Sequence, residues 1–359
     1  MNSSIEIRVF GDGNGETIFI EFENNKIGVI DFGYKDFITW FENYSITHKL
    51  KNIEFLLWTH PHDDHSRYLI NLLEFCETNN ISINYFTRFA FSKMQALSKV
   101  IDEQHLKISS YNYISKAKPQ YLFAIFEKIE KLKKQNLIKN TDKNLMLGHT
   151  LFEAGNIHEN ISITCIAPCQ KDMDLYQEKY EKAAQKSIAA KELKILTKQF
   201  GIESNIHNLI SVALCINYHN LKIILGSDVE NSSWAKILDD NRYHKYTKGK
   251  IILLKAPHHG SNGAYSENIW KNWGENYAII ITPYNKSKIP KKEVLEEMLK
   301  ISKNISILKD IKNNTVLEDF GFLLENIEIS EEEITTAKEA THQKRYIINS
   351  SGEIKSNWE

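Results

Sequence analysis

Short apolar runs split by Gly, Asn and Asp fill the first sixty residues of this chain. IEIRVF (5–10), TIFIEF (17–22), KIGVIDF (26–32) and IEFLLW (53–58) are rich in Ile, Phe and Val and read as strands. The spacing then changes: RYLINLLEFCETN (67–79) repeats its apolar residues at helical intervals, and INYFTRFAF (83–91) returns to a strand pattern. Residues 92–140 read as a helical block that includes YLFAIFEKIEKLKKQ (121–135). ISITCIAP (161–168) is a strand, and the mixed-charge stretch 175–199 a helix. Four strand-like runs follow at 209–216, 221–227, 250–256 and 277–282. A short helix capped by Ser or Asn falls within ENSSWAKIL (230–238), and a last helix spans 291–301 before an acidic tail. Two groups of strands with helices between and outside them predict an α/β fold, a four-layer αββα sandwich with a helical insertion at about 92–140. The main domain covers 1–300, and 301–359 is a C-terminal extension of unassigned role.

Composition narrows the class. Of 359 residues, 42% are apolar and 25% charged, as in ordinary globular proteins, and the net charge of −1 gives no global pull toward nucleic acid or anionic membrane. The 92–140 block departs from this balance, with ten lysines against four acids. It reads either as a phosphate-contacting cover or as solvated helix faces. No run approaches the ~20 apolar residues needed to span a bilayer, and MNSSIEIRVF lacks the pattern of a signal peptide. Cys76, Cys165, Cys169 and Cys215 lack the paired spacing of a zinc ribbon and read as buried free thiols. A cytoplasmic location is the expectation.

The chemistry concentrates where strands end. THPHDDH (59–65) packs three histidines and two aspartates behind IEFLLW. His60 and His62, two apart, fall on one side of an extended backbone. Asp64 and His65 follow where the chain turns. Imidazole with carboxylate suits zinc, manganese or iron, and imidazole favours zinc. The pattern arises by chance in roughly one such chain in a thousand, which weighs against a plain polar turn. Asp228 ends IILGSDVE (223–230) and reads by itself as a helix cap. His258 and His259 end ILLKAPHHGSNG (252–263). The turn GDGNGE (11–16) reads either as a phosphate cradle or as a hairpin turn whose glycines admit positive φ.

Together these segments resemble the metallo-β-lactamase superfamily of binuclear metallohydrolases, and within it the free-standing relatives of the hydrolase domain of the competence protein ComEC. VFGDGNGETIFIEFENNKIGVIDFG, LLWTHPHDDH, NLISVALCINYHNLKIILGSDVE, LLKAPHHGS and AIIITPYNKSKIPKKEVLEEML carry the likeness. Two departures stand out. Ser66-Arg67-Tyr68 replaces the family's Gly-Gly, and Ile289 precedes Pro290 where the family often has a histidine. The resemblance implies two divalent ions, zinc or alternatively manganese. It makes His60 and His62 ligands of the first, Asp64 and His65 ligands of the second, and Asp228 the bridge between them. His259 closes the set, with His258 beside the substrate and the two able to exchange roles. His207 is the remaining first-metal candidate, with His149 and His158 as alternatives.

The resemblance further implies hydrolysis by a metal-bridging hydroxide, with His258 or Asp64 handling protons. The expected function is a phosphodiesterase or nuclease with nucleic acid as substrate. The alternatives are a hydrolase of small esters, lactones, thioesters or lactams, which calls for a narrow apolar pocket, and a subunit of a defence or DNA-handling system that docks a protein partner through the added helices.

Overall fold

The computed structural model describes residues 4–22, 26–90, 93, 122–190, 198–200, 204–302, 304–308, 334–336 and 343–358. Among these, two eight-stranded sheets form the framework. The first takes β1 (Ser4–Gly11), β2 (Glu16–Glu21), β3 (Ile27–Ile30), β4 (Asn52–Trp58), β5 (Ser82–Phe89) and β6 (Ile138–Leu145). The second takes β7 (Thr150–Phe152), β8 (Ile161–Ala167), β9 (Ala213–Tyr218), β10 (Leu221–Leu225), β11 (Lys250–Lys255), β12 (Ala278–Ile281), β13 (Ile305–Ile307) and β14 (Ile334–Thr336). Then β15 (Gln343–Asn349) and β16 (Ile354–Trp358) return to the first sheet, whose order is β16-β15-β1-β2-β3-β4-β5-β6.

Alternation along the strands sets the layers, because successive side chains point to opposite faces. On β10, Ile223 joins the core shared by both sheets, while its neighbour Ile224 joins a second core on the outer face; Leu253 and Leu254 of β11 divide in the same way. Both faces are therefore buried, which is why these parallel strands read as unbroken apolar runs. The outer core packs under α6 (Asn231–Leu238), α8 (Glu267–Asn272) and α9 (Lys292–Leu299), through Trp234, Ile237, Trp270, Leu295 and Met298; α7 (Asn241–Thr247) adds Tyr243. Beside the first sheet, α1 (Phe37–Thr47), α3 (Leu69–Thr78) and α4 (Leu122–Lys134) bury Phe37, Phe41, Leu72, Leu73 and Phe126. The fold is a mixed α/β one, two sheets with helices. No helix among the described residues is long and apolar enough to cross a membrane.

Two expected boundaries change. Residue 300 ends no unit: β13 continues the second sheet beside β12 (Ile279 opposite Ile305), and β15 lies antiparallel along β1, from Ser4 opposite Asn349 to Phe10 opposite Gln343. Of the lysine-rich block, Lys93 and residues 122–140 are described. There α4 leads into β6, which pairs parallel with β5 (Ile83 opposite Ile138). That part belongs to the first sheet and its cover; the rest of the block lies outside the described residues.

Candidate metal centre

Parallel strands bring their following loops to one end of a sheet. The loop after β4 runs from Thr59 into the short helix α2 (Asp63–Ser66), carrying His60, His62, Asp64 and His65. Asp228 follows β10, and His258 and His259 follow β11. The chain takes unusual backbone there. Asp31, Ser227, His258 and His259 all have positive φ, at 59°, 45°, 43° and 55°, conformations that cost energy for residues with a Cβ and cluster at functional sites. Glycines seat the loop: a Cβ on Gly33 would fall 1.6 Å from the carbonyl oxygen of Asp64, and one on Gly15 2.4 Å from that of Gly33. The glycines of GDGNGE thus serve close packing, and Gly13 accepts a backbone hydrogen bond from Asn285 at 2.8 Å.

Six of the seven residues expected as ligands fall into two donor groups that share Asp228. His60, His62 and Asp228 form one; Asp64, His65, Asp228 and His259 form the other, with donor atoms inside each group within 4.8 Å of one another. Asp228 is not a helix cap, since α6 begins after Glu230. His60 Nε2 faces His62 Nδ1 at 2.8 Å and lies 3.6 Å from Asp228 Oδ2. His65 Nε2 faces Asp228 Oδ1 at 3.2 Å, and His259 Nε2 lies 3.1 Å from Asp64 Oδ2. His258 belongs to neither group. Its Nε2 is 3.9 Å from Asp228 Oδ2, its Nδ1 3.1 Å from Ser261 Oγ, and its side chain is 19% exposed.

His207 is the exception. Its Nε2 donates to the Phe200 carbonyl at 3.3 Å, its Nδ1 accepts from the Tyr176 hydroxyl at 2.9 Å, and its ring only flanks His62, centroids 5.6 Å apart. With both ring nitrogens engaged, it is not brought into the first group as expected. His149 and His158 also lie in neither group.

Partners behind the ligands fix which nitrogen each presents. His65 Nδ1 donates to Asp31 Oδ2 at 2.7 Å, and Thr59 donates to the same carboxylate through N (2.8 Å) and Oγ1 (2.7 Å). His259 Nδ1 donates to the Thr282 carbonyl at 2.9 Å, and His62 Nε2 to that of Ser204 at 2.9 Å. Behind them Glu16 pairs with Lys255 at 2.5 Å and accepts from Thr282 Oγ1; both charged residues are buried. Asp31, Glu16 and Lys255 went unsingled in the sequence. Each is a lone charged residue at a strand end, and their only trace in the sequence is that they fall within GDGNGE, KIGVIDF and LLKAPHHGS.

The charge balance suits a cation. Four buried carboxylates (Glu16, Asp31, Asp64, Asp228) face one lysine. Burial pulls the His65 imidazole down, but Asp228, Asp31 and Asp64 together outweigh it and hold it well above an ordinary histidine. Burial would likewise raise Asp228, yet His65, His258 and His259 hold it well below the usual carboxylate range. His60, by burial and then by the nearby His65 and His62 rings, is held well below the ordinary value and so neutral. His65 Nε2 and Asp228 Oδ1 are buried and, apart from facing each other at 3.2 Å, have no hydrogen-bond partner, a condition a metal ion between them would relieve. The donor set therefore fits divalent metal. Beside it opens a pocket of about 350 Å³, walled by Arg67, Asn205, Tyr284, Lys286 and Ser287, with His258 at its side.

No family model and no curated protein matches this chain. Among solved structures it is similar to the metallo-β-lactamase fold protein YhfI from Bacillus subtilis, at 10% identity over 85% of this chain and 97% of that one, TM-score 0.41. A new diphosphatase from the PhnP family is similar at 9% identity over 85% and 95%, TM-score 0.39. A long form RNase Z from yeast is similar at 12% identity over 98% of this chain and 42% of that one, TM-score 0.37. Likenesses this distant carry no activity across, and the chemistry of the centre is read from its own atoms: the chain is an α/β protein of two facing sheets with a buried His/Asp cluster at the ends of its parallel strands.

Proposed function

We propose that the chain is a metal-dependent hydrolase of phosphodiesters, with nucleic acid as the substrate class and two ions, zinc or alternatively manganese, held by the two donor groups. The observation that carries this reading is the placing of Asp228, one carboxylate shared by both groups, with His65 Nε2 and Asp228 Oδ1 buried, 3.2 Å apart and without other hydrogen-bond partners. Two ions there would supply Lewis-acid polarisation of a phosphoryl oxygen and an acidified water. His60, His62, Asp64, His65, Asp228 and His259 bind them. Asp64 is held ionised below the usual carboxylate range by His65 and His259, against the effect of its burial. It acts as a ligand, and proton handling falls to His258. Burial keeps the His258 imidazole below the ordinary value, so it is neutral near pH 7, and Ser261 orients it. Its Nε2 accepts a proton and returns it to the departing oxygen. The walls favour a phosphodiester over an apolar ester or lactam, because the pocket is lined mainly by polar groups, Arg67 and Lys286 among them. Arg67 is itself held by Asp63, Nε to Oδ2 at 2.7 Å.

The test is elemental analysis of purified protein, with hydrolysis of bis-p-nitrophenyl phosphate, DNA and RNA under added Zn²⁺ or Mn²⁺. Two ions per chain and cleavage lost in the Asp64→Ala, His65→Ala double variant are the expected result. No bound metal after reconstitution would sink the reading.

A further inference from the structure

The two donor groups are not equivalent, and the difference lies in His207. One group has four donors, two of them carboxylates; the other has three, with a single carboxylate shared between them. A third imidazole for the smaller group stands close by, its ring 5.6 Å from that of His62. It is turned away. The Nε2 hydrogen goes to the Phe200 carbonyl, and the Nδ1 lone pair receives the Tyr176 hydroxyl, so one tautomer satisfies both contacts and leaves no lone pair for an ion. Tyr176 belongs to α5 (Gln170–Ala190) and is buried, as are His207 and Phe200, and the Phe200 ring meets that of Tyr176 edge-on at 5.4 Å. Releasing His207 would break both of these buried contacts, at a cost of about 0.5–1.5 kcal/mol each.

We infer that this centre has one closed four-donor position, made by Asp64, His65, Asp228 and His259, and one open three-donor position, made by His60, His62 and Asp228, with His207 kept out by Tyr176 and Phe200. The inference rests on the metal-dependent reading above. Four protein donors complete a tetrahedral site, whereas three leave a place for water or substrate and hold the ion less firmly. The four-donor position also brings one more negative charge to a divalent ion, and His65 in it is braced by a carboxylate, Asp31, whereas His60 and His62 are braced by the neutral Thr59 hydroxyl and Ser204 carbonyl. The ions therefore bind in sequence: the four-donor position fills first, and the three-donor ion exchanges with the medium. His207 is a positioning residue, holding Tyr176 and Phe200 beside His62.

The experiment titrates metal-free protein with Zn²⁺ against a chromophoric chelator, with elemental analysis after dialysis. The expected result is two binding steps at least about tenfold apart. His62→Ala removes the weaker step and Asp64→Ala the tighter. His207→Gln keeps an amide oxygen for the Tyr176 hydroxyl, so the buried contact survives. It retains two ions, with both affinities within about threefold of the parent. His207→Ala is the stricter variant, admitted where circular dichroism matches the parent. Loss of one ion in folded His207→Gln, or two equal steps in the parent, overturns the inference while leaving metal binding intact. A parent chain that binds no ion overturns the metal-dependent reading itself.

Discussion

Asp31 reaches no pocket wall, yet it accepts from His65 Nδ1 and twice from Thr59, tying the end of β3 to the start of the ligand loop. Removing such a carboxylate lets the imidazole rotate and lowers its basicity, which costs about 10–100-fold in metal affinity. Asp31→Ala is expected to weaken zinc binding by that factor in chelator competition, with Asp31→Asn recovering part of it; an unchanged affinity would remove Asp31 from the site. At this scale the sequence was legible where donors lie close along the chain. His60, His62, Asp64 and His65 share seven positions, and His258 and His259 are adjacent. Glu16 and Asp31 were not legible, because a lone acid at either end of a strand carries no local signature and Glu16 meets Thr282 across 266 positions. His207 is a ligand only by resemblance, and a likeness of sequence does not report which hydroxyl a buried imidazole accepts from.

Among the elements, the strands of the first sixty residues and the runs from 209 to 282 stand close to where the apolar pattern put them. The tail did not. In β15, QKRYIIN, the buried positions are Lys344, Tyr346 and Ile348, alternating with half-exposed Gln343, Arg345, Ile347 and Asn349. Two basic residues in its first three mask the period of two, and a lysine at a core-facing position reads as surface. Burial lowers the Lys344 ammonium to about 8, from 10.5 in the free side chain. Between those values the folded chain holds fewer protons than the unfolded one, so stability rises with pH, and below about pH 8 the fold bears the cost of a buried charge. Lys344→Met is expected to stabilise the protein by about 1–3 kcal/mol at pH 7, with the gain fading toward pH 10. Urea midpoints at the two pH values read this directly, and an equal gain at both would refute the account.

For the whole molecule, the sheets make one unit out of segments that composition separates. A chain ending at residue 300 would lose β15 beside β1 and β13 beside β12, opening an edge in each sheet and uncovering Ile5, Ile7 and Ile279. Unpaired apolar edges template aggregation. The 1–300 fragment is expected in the insoluble fraction, and soluble, zinc-binding 1–300 would show that the last strands are dispensable. The pairing of β1 with β15 also bears on how the protein is made. Ser4 lies opposite Asn349, so β1 leaves the ribosome more than three hundred residues before its neighbour, and this contact of the first sheet, with its large sequence separation, forms slowly. Until then β1 waits with one side bare. This makes β1 a segment where a chaperone that shields nascent strands would matter, and where pausing between the two strands would do harm.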